Sequence, residues 1–416
     1  MNVRRSRSSL LLLSTLMLSA CAGFGGDDGA DDELVWAIGG TGADPGGYHQ
    51  QVVDLWNEQD PDMPVRIDRL PESADDQRQQ LSLELNAEGD TFDILGLDVI
   101  WTGEFSDNGW LESLEDQRSE YEQGILEGPF ESATWGGELW AAPYMTNAGF
   151  LYYRTDLVDE APTTWDELKE VGMAAAEQEG ISAYVAQGAQ YEGLVVNYLE
   201  YYWSAGGELF NADQTEVLFD EELALEALTF MQESLEDGFY APGFNTMQED
   251  DGRSEFQSGN AVFMRNWPYA FELMSDPEES EVADDFAIAP LPTFTGEGTV
   301  STLGGYNNAV SAYSQNIDAA KEFVLWAATD EQAQRLLAET GPPPVLASTY
   351  DQLSDDVQIA TLGDILPDAR PRPPAPNWND ISVEFQQEIF PAYNGDQDAQ
   401  EAVASLREYL ETTLSG

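Results

Sequence analysis

Leu34-Val35-Trp36-Ala37-Ile38-Gly39-Gly40 is a short apolar run closed by two glycines, the pattern of a buried strand. Next comes a helical stretch in which Val52, Val53, Leu55 and Trp56 supply an apolar face before Pro61 stops it. Val65-Arg66-Ile67-Asp68-Arg69-Leu70 alternates as a second strand. Residues 77–87 carry leucines at 81, 83 and 85 in a second helix, and Phe92-Asp93-Ile94-Leu95-Gly96-Leu97 reads as a third strand. Strand, helix, strand, helix, strand is the order of a parallel sheet covered by helices, so the fold class is α/β. Ligands of such sheets gather beyond the carboxyl ends of the strands, which makes Asp98 an early candidate for a ligand contact.

Farther along, residues 139–144 and 149–153 predict two strands separated by Met145-Thr146-Asn147-Ala148. Helices are expected over 164–179, 190–205 and 221–236, a strand and crossover over 286–292, and a new element beginning at Ala309-Val310-Ser311. One helix then spans 317–339 and a last one 399–412. The stretch Ala369-Arg370-Pro371-Arg372-Pro373-Pro374-Ala375-Pro376 excludes a helix and predicts an extended loop.

The amino-terminal residues carry an address. Met1-Asn2-Val3-Arg4-Arg5-Ser6-Arg7 is basic, residues 10–18 are rich in leucine, and Ser19-Ala20-Cys21 follows. That is the layout of an export signal, and its apolar run is well short of the roughly 20 residues a membrane span needs. The only cysteine, Cys21, stands directly after Leu18-Ser19-Ala20, which resembles the lipobox of bacterial lipoproteins. A signal peptide over 1–20, a lipidated Cys21 and a Gly- and Asp-rich tether to residue 33 are therefore expected, with an anchor at the outer face of the membrane. A single cysteine leaves no disulfide and no thiolate zinc site.

After the tether the chain is long enough for two domains, and 42% hydrophobic residues with 11% aromatics suffice for real cores. Against 79 acidic residues stand 16 basic ones, a net charge of −63, with Lys169 and Lys321 the only lysines. Such a surface repels phosphates and excludes nucleic acid as a partner. The acids are spread along the whole chain, as expected of a solvated surface adapted to high salt. No EF-hand loop, G-x-S-x-G elbow, HExxH helix or phosphate-binding G-x-x-x-x-G-K-[ST] loop is present, so neither a metal, a cofactor nor an enzyme is expected. The single histidine, His49, follows Gly46-Gly47-Tyr48 and is expected to face solvent, without a role as general base.

Asp93-Ile94-Leu95-Gly96-Leu97-Asp98-Val99-Ile100-Trp101-Thr102-Gly103-Glu104-Phe105, with Gly109-Trp110-Leu111 after it, resembles the family 1 solute-binding proteins of sugar importers, in particular their trehalose/maltose-binding group. The likeness recurs in order at Tyr152-Tyr153-Arg154-Thr155-Asp156-Leu157, Thr164-Trp165-Asp166-Glu167-Leu168 and Gln190-Tyr191-Glu192-Gly193-Leu194. It continues at Arg265-Asn266-Trp267-Pro268-Tyr269-Ala270, Ala289-Pro290-Leu291-Pro292, Thr302-Leu303-Gly304-Gly305-Tyr306 and Pro371-Arg372-Pro373. The resemblance implies a two-lobed periplasmic-binding-protein-like fold of type II, maltose-binding-protein-like, with a hinge between the lobes. Lobe one would hold 34–145 plus 289–346 and lobe two 146–288 plus 347–416. It also implies a monomer that captures trehalose, maltose or a related α-glucoside and hands it to permease subunits and their ATPase.

A disaccharide presents hydroxyls at its edges and apolar C–H faces, so its site needs carboxylate, amide and guanidinium groups around flat aromatic rings. The resemblance assigns Asp98 to adjacent hydroxyls, the alternative being a helix N-cap, with Trp101 packing beneath it. Asn147 stands where the family often carries aspartate, which puts a shift in ligand preference in view; a turn asparagine is the other reading. Trp267 and Tyr269, spaced by rigid Pro268, match stacking aromatics, and Asn266-Trp267-Pro268-Tyr269 after a polar Arg265 does not look like a core strand. Gly304, Gly305 and Gly40 would let backbone approach the ligand, with Tyr306 where the family commonly has tryptophan. Arg372, flanked by prolines, is a ligand contact or a surface ion pair. Tyr191 and Glu192 also match. Residues 72–80 depart most from the family: Arg78 is the expected arginine, with Gln79 as the alternative register, and no acidic counterpart is clear in 44–48.

Overall fold

The computed structural model describes residues 33–211, 216–373 and 377–414. The expected signal peptide, the lipidation site Cys21 and nearly all of the tether lie outside the described residues. The described strands are β1 (Leu34–Ile38), β2 (Val65–Arg69), β3 (Ile94–Asp98), β4 (Thr134–Trp135), β5 (Glu138–Leu139) and β6 (Ala141–Ala148). They continue as β7 (Phe150–Arg154), β8 (Ser182–Val185), β9 (Ala261–Asn266), β10 (Phe286–Ala289), β11 (Thr302–Val310) and β12 (Arg370–Pro371).

The apolar run that opens the fold is fully buried along its length and lies inside the first sheet, in the order β12-β11-β3-β1-β2 with β6 on β11. β1 is parallel to β2, with Leu34 opposite Val65, and to β3, with Trp36 opposite Ile94. Helices Tyr48–Asn57 and Ala74–Asn86 make the two crossovers, as the alternating pattern demands. β11 runs antiparallel to β3, which sets Tyr306 beside Asp98, and antiparallel to β6, which sets Gly304 beside Asn147. The second sheet has the order β10-β7-β9-β8. Helix Trp165–Glu179 packs near it, begun by Thr164, whose side chain accepts from Glu167 N, and ended by left-handed Gly180 at φ 76°.

Only Gly149 separates β6 in the first sheet from β7 in the second. A Cβ at this position would lie 2.7 Å from Arg265 Nη2, so close approach and not backbone strain explains the glycine. Ser301, at the return crossing into β11, donates to Gly149 O at 3.2 Å and accepts from Gly149 N at 2.5 Å. Its own carbonyl accepts from Arg370 N at 2.8 Å. Three chain segments are thus tied together at one serine.

Several expectations change. β6 runs unbroken through Met145-Thr146-Asn147-Ala148, because β11 supplies a backbone partner along its whole length, so Asn147 is a strand residue and not a turn residue. Residues 309–311 end a strand instead of beginning an element, and Gly304-Gly305-Tyr306 lies within it. The expected helix over 317–339 is two, Ile317–Thr329 and Glu331–Glu339, broken where the Asp330 carboxylate accepts from Gln332 N and Ala333 N. Arg265 does belong to a buried strand, at 1% exposure, because the Glu200 carboxylate neutralises it there at 2.6 Å. His49 is fully buried, not solvent-facing: it shares one helix face with Val52, Val53 and Trp56 and packs edge-on to Trp36.

Candidate functional site

The carboxyl ends of β1 and β3, the middles of β6 and β11, the end of β9 and two helix amino-termini converge on one cavity of about 330 Å3. Its lining draws on both sheets and the segments that cross between them. Gly39 and Gly40 close one side, and Gly40 takes φ 80°, which glycine adopts without strain. Gly305, at φ 130°, stands where a Cβ would come within 2.3 Å of Met145 O, so the backbone itself forms this part of the wall.

Arg372 organises the polar floor. Its Nη2 donates to Asp98 Oδ1 at 3.1 Å and its Nη1 to Glu192 Oε1 at 2.7 Å. Ile100 N also donates to Asp98 Oδ1, at 3.2 Å. Among the described residues no donor reaches Asp98 Oδ2. Glu192 is held further by the Trp378 indole at 3.1 Å and by the Ser382 hydroxyl. Burial pushes the Glu192 carboxyl above its usual range, and Arg372 draws it back. Arg372 is 4% exposed, so the pair of carboxylates it joins is a buried network and not a surface ion pair.

Aromatic residues make much of the remaining wall. Trp267 follows β9 directly, its amide donating to Asn266 Oδ1 at 2.8 Å and its carbonyl accepting from the Tyr152 hydroxyl at 2.8 Å. The Arg265 guanidinium carbon lies 4.0 Å from its ring centre. Tyr269 donates to Asp250 Oδ1 at 2.9 Å, Tyr191 to Glu249 Oε2 at 2.6 Å, and Tyr306 to Gln77 Oε1 at 3.3 Å. Each phenol therefore has its hydroxyl engaged, and all three residues line the cavity. Burial raises the Glu249 carboxyl, opposed by the Tyr191 hydroxyl. The chemistry on offer is acceptor-rich, with the Arg372 guanidinium, the Asn147 amide and several aromatic residues.

Of the sequence candidates, Gly40, Asp98, Asn147, Tyr191, Glu192, Trp267, Tyr269, Gly304, Gly305, Tyr306 and Arg372 line this cavity. Arg78 is not among the lining residues: its Nε donates to Glu104 Oε2 at 2.8 Å, and Gln79 lines a separate surface hollow. The neighbour that turns inward is Gln77, 1% exposed and bonded to Tyr306. Trp101 lies beside the site, buried and stacked on Phe105. Sequence reasoning missed Tyr48, Glu72, and the run Gln248-Glu249-Asp250-Asp251. Tyr48 carried a signal, an aromatic after Gly46-Gly47; the acidic run carried none in a chain this acidic.

Comparison with known proteins agrees with this architecture. Residues 39–334 match the family model described as bacterial extracellular solute-binding protein. A probable ABC transporter-binding protein of Deinococcus radiodurans is 30% identical over 347 residues, spanning 78% of this chain and 81% of that one. A maltotriose-binding protein of Pyrococcus abyssi is 26% identical over 329 residues, 76% of this chain and 68% of its own length. The maltose-bound structure of T. maritima MalE3 superposes with a TM-score of 0.86 at 32% identity, covering 92% of this chain and 99% of that one. The fold is accordingly the two-lobed, maltose-binding-protein-like one. On the family match and the shared fold together, this chain belongs to the bacterial extracellular solute-binding proteins.

Proposed function

We propose that the chain captures a small saccharide, maltose, trehalose or a related α-glucoside, in this cleft and delivers it to the permease of an ABC importer. The observation that carries the reading is the convergence of the Asp98–Arg372 pair with Trp267 and Tyr269 on one cavity. Oδ2 of Asp98 and the Asn147 amide suit hydroxyl edges, and the rings suit C–H faces. The maltose in the MalE3 structure and the name of the Pyrococcus relative support the same ligand class. Binding without turnover is the proposed activity, since the relatives are solute-binding proteins and not enzymes.

The lobes are proposed at 34–145 plus 289–346 and 146–288 plus 347–416, with the Ser301 cluster as the hinge and ligand favouring the closed form. Export, an acyl chain on Cys21 and a monomeric state complete the proposal. Among the described residues no helix is long and apolar enough to cross a membrane.

A thermal-shift panel with maltose, trehalose, sucrose and glucosylglycerol tests the ligand. A saturable rise in melting temperature with one of the first two, and sugar recovered intact, supports the reading. No response to any of the four refutes it, and released glucose would make the protein a glycosidase. Incorporation of labelled palmitate that is lost in Cys21→Ser tests the anchor.

A further inference from the structure

Six carboxylates line the cleft, those of Glu72, Asp98, Glu192, Glu249, Asp250 and Asp251, against the single guanidinium of Arg372. Most have a cation. Arg372 serves Asp98 and Glu192, Arg253 reaches Asp250 at 2.9 Å, and Arg69 pairs with Glu72. Glu249 differs. The Glu249 carboxylate receives the Tyr191 hydroxyl, a neutral donor, at 2.6 Å, and among the described residues it makes no ion pair. Arg265, whose charge acts on Glu249, lies against the Trp267 ring with two of its nitrogens committed to Glu200, at 2.9 and 2.6 Å.

Around Glu249 the rings of Tyr191, Trp267 and Tyr269 line the same cavity. A carboxylate without a counter-ion among aromatic faces has a specific chemical complement. A neutral hydroxyl satisfies one lone pair and leaves the charge uncompensated. An ammonium brings three donors, no acceptor and a positive charge that aromatic faces attract. We infer that the ligand is an amino-bearing saccharide whose protonated amine is recognised by Glu249 within the Tyr191–Trp267–Tyr269 corner. The inference rests on the saccharide reading of the cleft and narrows it.

Titration calorimetry of the exported protein at pH 7 and fixed high salt tests this, using maltose and trehalose beside trehalosamines aminated at C2, C4 or C6. The expected result is that one aminated sugar binds about tenfold or more tighter than its neutral parent, as a charge-assisted contact in a water-poor site warrants. N-acetylation of that probe, which removes the charge, should abolish the preference without any change to the protein. In Glu249→Gln the ratio of affinities for the aminated sugar and its neutral parent should shrink below about twofold. Neutral sugars binding as tightly as every aminated one, or a preference that survives N-acetylation, overturns this inference and leaves the saccharide reading standing. Silence toward neutral and aminated sugars alike overturns both.

Discussion

The Arg265 guanidinium carbon lies 4.0 Å from the centre of the Trp267 ring, while its nitrogens hold the Glu200 carboxylate. Glu200 Oε1 in turn accepts from Thr302 N at 3.1 Å, at the crossing into β11. The Trp267 ring in the cleft lining is therefore backed by a charged pair that also holds the start of β11.

Removing one member of this pair strands the other in a dry interior. Arg265→Met or Glu200→Gln should cost about 3–5 kcal/mol of folding stability, read from urea or guanidinium unfolding. Trp267→Ala should spare stability by comparison and weaken sugar binding by about tenfold to a hundredfold. Equal stability of all three proteins would remove the backing role assigned to Arg265.

Arg372 touches two carboxylates, so its loss should be more severe than that of either. Arg372→Ala leaves Asp98 and Glu192 facing each other without a cation, and sugar binding should fall by more than about a hundredfold. Asp98→Asn keeps the Arg372–Glu192 contact and should cost about ten- to a hundredfold. Calorimetric titration of the two variants checks the order.

Acid should destabilise the fold through its one histidine. Burial holds His49 down to about 3, against about 6.5 in an unfolded chain. Between those values the unfolded chain binds a proton that the fold excludes. The stability His49 allows is complete above pH 6.5 and falls by about 1.4 kcal/mol per pH unit as pH drops toward 3. Glu192 and Glu249 act oppositely, since burial raises both carboxyls and the cost of keeping them charged eases as pH falls through their raised values. The slope of unfolding free energy against pH, measured from 6.5 to 5, should flatten by about one proton in His49→Gln. An unchanged slope would contradict the assignment.

A net charge of −63 makes stability depend on salt. Raising NaCl from about 0.1 M to 1 M shortens the screening length from about 10 Å to 3 Å and should raise the melting temperature steadily. A flat or falling curve would mean that the acidic surface costs the fold nothing in dilute buffer.

How far the sequence was legible follows from what each residue's neighbours look like. Strand ends such as Asp98 and the glycine pairs were readable because periodicity marks where a buried strand stops. The β6–β7 crossing was not, because Pro143 and Asn147 resemble breakers, and only β11 supplies the pairing and the bulge near Tyr144 that accommodate them. Arg265 looked polar because its partner Glu200 lies 65 residues away. His49 was readable from the spacing of 49, 52, 53 and 56, but Gly46-Gly47 disguised a helix start as a loop. Glu249 and Asp250 vanished into a background of 79 acids, and only three-dimensional convergence distinguishes them.

The most direct test of the central claim is calorimetric titration of the exported chain in high salt with maltose and with trehalose, repeated on Asp98→Ala. Saturable one-to-one binding of at least one sugar, lost in the variant while its melting temperature stays near that of the parent, is the result predicted. Binding that survives Asp98→Ala unchanged, or no heat with either sugar from a folded sample, would contradict the assignment of this cleft as the saccharide site.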